Sequence, residues 1–221
     1  MILIDKLRES FHSQADEKIA REKSAYLKGL FSFVGLPKPL RDSLQKPLFQ
    51  QHPVRSEEEL EELILALWEM HEREFQYAAL DLAQKYHKLI SEKSFPLIET
   101  LIRTKSWWDS VDLLAGNSLG KLLQKHPHLQ EKMETWIDDP DRWIRRSALL
   151  FQLKYKQRTN EERLFRFCKK RMGETEFFIR KAIGWVLREY SKTHPSSVRA
   201  FVEEHKTQLS GLSYREASKY L

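Results

Sequence analysis

Reactive and recognising side chains crowd most densely into the segment Thr104-Lys-Ser-Trp-Trp-Asp-Ser-Val-Asp112. Ser106-x-x-Asp109 has the spacing of a helix N-terminus, with Asp109 in the first turn against the helix dipole. Asp112 has no such duty. It lies a turn further in, ahead of Leu113, Leu114 and Ala115, where aspartate lowers helix propensity. Trp108 and Asp112 stand at i and i+4 and share a helix face, while Trp107, Val111 and Leu114 fall on the neighbouring face and read as packing. A carboxylate beside an indole suits a cationic centre, which the first meets by charge and the second by cation–π attraction.

Other chemistries lack their residues. His71-Glu72 is followed by Arg-Glu-Phe, so the second histidine of a zinc-protease motif is missing, and His126-Pro127-His128 reads as a turn. One cysteine, Cys168, excludes an intramolecular disulfide and any multi-cysteine metal site. No glycine loop for phosphate and no Gly-x-Ser-x-Gly elbow occurs. Neither a metal nor a cofactor is expected.

The elements that must hold Asp112 are helices. Seven glycines and eight prolines in 221 residues are too few for an all-β fold. Ser56-x-x-Glu59 has capping-box spacing ahead of the stripe Leu60, Leu63, Ile64, Leu67, Trp68. Pro96 sits early in a helix carrying Leu97, Ile98, Leu101 and Ile102, and Ser213-x-x-Glu216 is expected to cap a last helix. Loops are expected at Gly35-Leu-Pro-Lys-Pro39, His126–His128, Asp138-Asp-Pro140, Gly173 and His194-Pro195.

These helices recur with a period. Phe75-Gln-Tyr-Ala-Ala-Leu leads to Tyr86, Ile144-Arg-Arg-Ser-Ala-Leu to Tyr155, and Ile179-Arg-Lys-Ala-Ile-Gly to Tyr190, each tyrosine 11 residues after the start. The starts are 69 and 35 residues apart, so a degenerate copy is expected near Ser110. Stacked helix pairs follow: an all-α solenoid of antiparallel pairs, in one domain over residues 1–221. The third position of each copy is Tyr77, Asp112, Arg146 and Lys181, which predicts a polar column along a concave binding face. Trp185 lies one turn after Lys181.

Lys and Arg exceed Asp and Glu by 38 to 32, a net +6, so a polyanionic partner is plausible and the placement of the charges must decide. Lys154-Tyr-Lys-Gln-Arg158 reads either as a solvated helix end or as a phosphate contact. Met1-Ile-Leu-Ile-Asp-Lys6 has no signal-peptide core, and no apolar run suffices to span a membrane. A cytoplasmic monomer, nucleoid-associated in a bacterium, is the expectation.

Three blocks carry a resemblance: Thr104–Asp112, Arg146-Ser-Ala-Leu-Leu-Phe-Gln-Leu-Lys-Tyr-Lys156, and Phe177-Phe-Ile-Arg-Lys-Ala-Ile-Gly-Trp-Val-Leu-Arg-Glu-Tyr190, with Leu212-Ser-Tyr-Arg-Glu-Ala217 in support. Together they resemble the AlkD family of bacterial alkylpurine DNA glycosylases. The resemblance implies HEAT-like repeats around double-stranded DNA, and hydrolysis of the N-glycosidic bond of 3-methyladenine and 7-methylguanine without flipping the base into a pocket. It implies Asp112 as the catalytic carboxylate, Trp108 and Trp185 beside the lesion's deoxyribose, and Arg146 on a phosphate. Lys154, Lys181 and Arg188 would face DNA, and Tyr26 would neighbour the cleft. A rival reading, a non-catalytic helical-repeat module for damaged or branched DNA or for a protein, explains the repeats and the charge. It leaves Trp108 and Asp112 idle.

Overall fold

The computed structural model describes residues 2–221 and is all-helical. Among these residues there is no strand, only an isolated bridge between Ser32 and Glu72. The chain divides into two compact units, one ending at Ser94 and the other spanning Phe95–Leu221.

The first unit holds α1 (Ile2–His12), α2 (Glu17–Tyr26), α3 (Lys38–Gln51), α4 (Glu57–Glu69) and α5 (Arg73–Lys85). The Ser56 side chain accepts from Glu59 N at 3.1 Å and starts α4, whose apolar stripe is buried where α4 packs on α5. Glu74 is fully buried near the start of α5, and its carboxylate accepts from the backbone N–H groups of Val34, Gly35 and Leu36 at 2.9–3.1 Å. Gly35 has φ +100°, and a Cβ there would stand 2.0 Å from the Asp16 carbonyl oxygen. The expected loop at 35–39 is therefore a wrapped carboxylate, and it ends sooner than expected because α3 begins at Lys38 with Pro39 in its first turn.

The second unit begins with α6 (Phe95–Arg103) and α7 (Trp108–Leu113), which runs through a π-helical segment, Leu114–Leu119, into α8 (Gly120–Lys125). It continues with α9 (Lys132–Trp136), α10 (Arg142–Leu150), α11 (Glu161–Arg171), α12 (Phe177–Ser191), α13 (Pro195–Glu204) and α14 (Gly211–Ala217). Here α10 packs on both α7 and α12, and α12 packs on α14, so the copies follow one another in space as they do in sequence. The degenerate copy expected near Ser110 is α7.

The periodic tyrosines explain themselves as tethers. Tyr155 Oη donates to the Gly120 carbonyl at 2.7 Å and Tyr190 Oη to Glu161 at 2.9 Å, while in the first unit Tyr86 Oη donates to the Phe49 carbonyl at 3.3 Å. Burial and the Glu161 carboxylate push the Tyr190 hydroxyl up to about 12, so it remains a donor at physiological pH.

Two expected caps are displaced. Ser106 Oγ donates back to the Ile102 carbonyl, so Trp107 stands at the N-cap of α7 without a side-chain bond, although Asp109 does lie in the first turn. The last helix is capped by Ser210, which accepts from Ser213 N at 3.0 Å. Ser213 instead donates to the Arg180 carbonyl at 2.8 Å, and Glu216 is turned to other work.

Gly184 sets the approach of α14 to α12. A Cβ on it would meet Glu216 Cβ at 2.5 Å and the Ser213 carbonyl oxygen at 2.9 Å. Gly184→Ala is expected to lower stability by about 1–3 kcal/mol, because the backbone of α14 must give way. Gly173→Ala meets open space and serves as the comparison. Urea denaturation checks both, and equal midpoints for the two variants would contradict the tight contact.

Candidate functional site

The second unit brings Asp112, on α7, against Arg146, on α10. Arg146 Nε donates to Asp112 Oδ1 at 2.7 Å and Nη2 to Oδ2 at 2.8 Å, a two-pronged pairing that fixes the plane of the carboxylate. Nη1 donates to the Phe178 carbonyl at the start of α12. Arg146 has 3% of its side chain exposed and Asp112 15%, so the pair is largely desolvated. Burial pushes the Asp112 carboxyl above its ordinary value, against the pull of the guanidinium, and the Asp109 carboxylate pushes in the same upward direction.

Trp108, the first residue of α7, is half-buried one turn before Asp112. Trp107 packs inward with ring centroids 5.5 Å from Trp143 and 5.1 Å from Phe178, as its place on the neighbouring face predicts. Directly after Asp112 the helix widens into its π segment, a local break in regular winding that often marks a functional position.

On α12, Lys181 and Arg188 converge on one acceptor. Lys181 Nζ lies 2.8 Å from Glu216 Oε1 and Arg188 Nη1 bonds the other oxygen, while Lys219 Nζ adds a third cation at 3.0 Å. Their pull, led by the Lys181 hydrogen bond, holds the Glu216 carboxyl down at about 2. Trp185 stands between Lys181 and Arg188 in sequence, half-buried, and among the described residues no ring stacks against it. Lys154 is exposed and its Nζ donates to Asn117 Oδ1. Tyr26 belongs to the first unit, at the end of α2, and is 70% exposed. Among the described residues no cluster of three or more His, Cys, Asp or Glu is placed to hold a metal ion, and no helix is long and apolar enough to cross a membrane. A cavity of about 240 Å³ between Gln152, Tyr190 and Thr193 is lined by neither Asp112, Trp108, Trp185 nor Arg146.

The family model described as DNA alkylation repair enzyme matches residues 7–221. The chain belongs to this family. It is similar to the solved structure of a predicted DNA alkylation repair enzyme from Enterococcus faecalis, at 36% identity and a TM-score of 0.86 over 94% of this chain and 97% of that one. The structure of smu.31 from Streptococcus mutans UA159 shares the fold, with 17% identity and a TM-score of 0.63 over 93% of this chain and 98% of that one. No protein of curated function matches. Membership in the alkylation repair family supports a role in the repair of alkylated DNA, with DNA as the partner.

Within this family member, the register reaches further than the four positions read from sequence. Arg41 lies 36 residues before Tyr77, and Glu216 lies 35 after Lys181. Arg41 sits over the Tyr77 ring at 5.0 Å in the first unit, and Lys181 pairs with Glu216 in the second. Glu216 was legible only as a cap, a job that Ser210 performs. Phe177 is a second omission: it is 57% exposed at the start of α12, in register with Arg142 and Trp108. A spacing of 35 and 34 residues is the signal that would have found it.

Removing Arg146 should isolate a desolvated carboxylate. Arg146→Gln is expected to lower stability by about 3–5 kcal/mol at pH 7.5. Without the guanidinium the folded-state value of Asp112 rises further above its unfolded value. A raised acid is protonated at no penalty below the unfolded value, and its ionisation costs stability as pH climbs toward the folded one. The deficit relative to wild type should therefore shrink at pH 5. Denaturation midpoints at both pH values check this, and a deficit independent of pH would exclude a buried, ionised Asp112.

Proposed function

We propose that the protein is a monofunctional DNA glycosylase that hydrolyses the N-glycosidic bond of cationic N3- and N7-alkylated purines, 3-methyladenine and 7-methylguanine among them. The observation that carries this reading is the Asp112 side chain, partly exposed and held by Arg146 one turn from Trp108. Alkylation at N3 or N7 makes the purine cationic, so it departs as a neutral base with no acid to protonate it. The sugar left behind is oxocarbenium-like. It needs a nearby anion and a water to attack it.

Asp112 supplies the anion and accepts a proton from the attacking water. A unit charge ~4 Å from the developing cation, at an effective dielectric of ~20, is worth about 4 kcal/mol, on the order of a thousandfold in rate. Arg146 opposes the effect of burial on that carboxylate and fixes its orientation. Any phosphate contact by Arg146 must use the N–H groups left over from Asp112 and Phe178. The indoles of Trp108 and Trp185 flank the sugar and add about 0.5–2 kcal/mol each by cation–π attraction. Lys154, Lys181, Arg188 and Tyr26 contact the backbone of a double-stranded, HEAT-like-bound substrate, and the protein acts as a monomer in the cytoplasm or on the nucleoid.

The non-catalytic reading is favoured by one observation, that both Asp112 oxygens already have a partner. Release of methylated bases separates the two. Wild-type protein is expected to release 7-methylguanine and 3-methyladenine from duplex DNA and to leave uracil and hypoxanthine, which are neutral. Efficient excision of hypoxanthine would demand an acid for the leaving base and contradict the mechanism.

Asp112→Asn keeps the shape and removes the charge. With excess enzyme, excision should fall by about 30- to 1000-fold, roughly 2–4 kcal/mol, while affinity for lesion DNA holds or rises. Asp109→Asn, which removes a neighbour that pushes Asp112 up, should retain the rate near neutral pH and move the acid limb of the rate profile downward. A wild-type rate in Asp112→Asn would remove it from the chemistry.

A further inference from the structure

We infer that Glu216 is a positioning residue of the DNA-binding face: it holds Lys181 and Arg188 on either side of Trp185 so that together they seat one phosphodiester of the duplex. The inference rests on the proposed glycosylase reading for its chemical arm, but its binding arm stands without that reading.

Lys181, Trp185 and Arg188 lie at i, i+4 and i+7 of α12, one stripe of one helix face. A single carboxylate, arriving from α14, takes Lys181 on one oxygen and Arg188 on the other. The two cations stand four residues before and three residues after the indole on the same stripe. Left alone, two long cationic side chains beside each other would repel and sample many rotamers. Tied to Glu216 they are fixed at a common end, with Lys181 38% and Arg188 22% exposed, and keep N–H groups for a ligand.

Charge points to an anion as that ligand. Lys181, Arg188 and Lys219 share the one carboxylate, which leaves an excess of positive charge at this spot. The contrast with Asp112 sharpens the role. Asp112 and Glu216 occupy equivalent register positions, yet burial raises the first, while three cations hold the second at about 2. Glu216 is thus an anion at every physiological pH, suited to organise cations and unsuited to exchange protons.

The approach is built in. Gly184, on the α12 turn between these residues, has no side chain, and only that lets Glu216 come within reach. Ser213 locks α14 in place through the Arg180 carbonyl. A merely solvated surface pair would need neither.

The test uses the full-length protein, a 7-methylguanine duplex and the undamaged duplex of the same sequence. Glu216→Gln keeps the side-chain length and releases the cations. Undamaged DNA should bind about 3- to 10-fold tighter at low salt, with the log–log salt dependence steeper by up to about one unit. Single-turnover excision should fall by about 10-fold, because the freed cations no longer hold the backbone beside Trp185. Glu216→Asp keeps the charge and shortens the arm, so its binding and salt slope should stay at wild type while excision falls by a smaller factor. Binding and rate thus move in opposite directions in the first variant, which loss of stability alone cannot produce.

An unchanged affinity and salt slope in Glu216→Gln would overturn the inference, as would wild-type excision in both variants. Should Glu216→Gln fail to fold, Glu216→Asp decides: weaker binding to both duplexes together with unchanged excision at saturation would overturn it. If wild-type protein releases no methylated base, the glycosylase reading fails, yet the salt slopes still report whether Glu216 governs a phosphate seat.

Discussion

The pairing of Arg146 with Asp112 organises the local architecture of the second unit. A carboxylate this far out of water would otherwise favour its neutral form, and a neutral Asp112 offers no field to a cation. The guanidinium opposes that tendency with two parallel hydrogen bonds, one to each carboxylate oxygen. Its third arm reaches the Phe178 carbonyl, so one side chain from α10 joins α7 to α12. Charge state, orientation and helix spacing hang on the same group. The Phe178 ring, 5.9 Å from the Arg146 guanidinium and packed on Trp107 and Trp143, adds an apolar wall to the pairing.

Pairing between equivalent positions recurs through the chain. Arg41 with Tyr77, Asp112 with Arg146, and Lys181 with Glu216 are each a base joined to an acceptor about one repeat away. A helical repeat that carries polar residues at its joints must satisfy them, and the next copy is the nearest source of partners. The outcome differs with the surroundings. One partner against strong desolvation leaves Asp112 raised, whereas several partners against weaker opposition leave Glu216 depressed.

Internal pairing also changes what the net charge means. Many of the basic side chains are paired within the protein, Arg103 with Asp139, Arg163 with Glu131 and Glu134, Arg145 with Glu174, Arg146 with Asp112, which leaves the net charge as it is but fixes where it acts. Each pair cancels locally in the field an incoming polyanion meets.

The sequence by itself determined the helical class, the repeat of about 35 residues and the register of Tyr77, Asp112, Arg146 and Lys181, because period and composition are properties of neighbours along the chain. It also marked Asp112 as a residue without a local duty and Trp107 as packing. Only the tertiary structure decided that Arg146 turns inward to Asp112, that Ser210 and not Ser213 caps α14, and that Glu216 gathers three cations. The physical reason is the same in each case. A side chain's partner, its burial and hence its charge state are set largely by other helices, 28 to 35 residues away for Asp112, Ser213 and Glu216, and by small gaps such as Gly184, whose importance is invisible until the backbone opposite it is known.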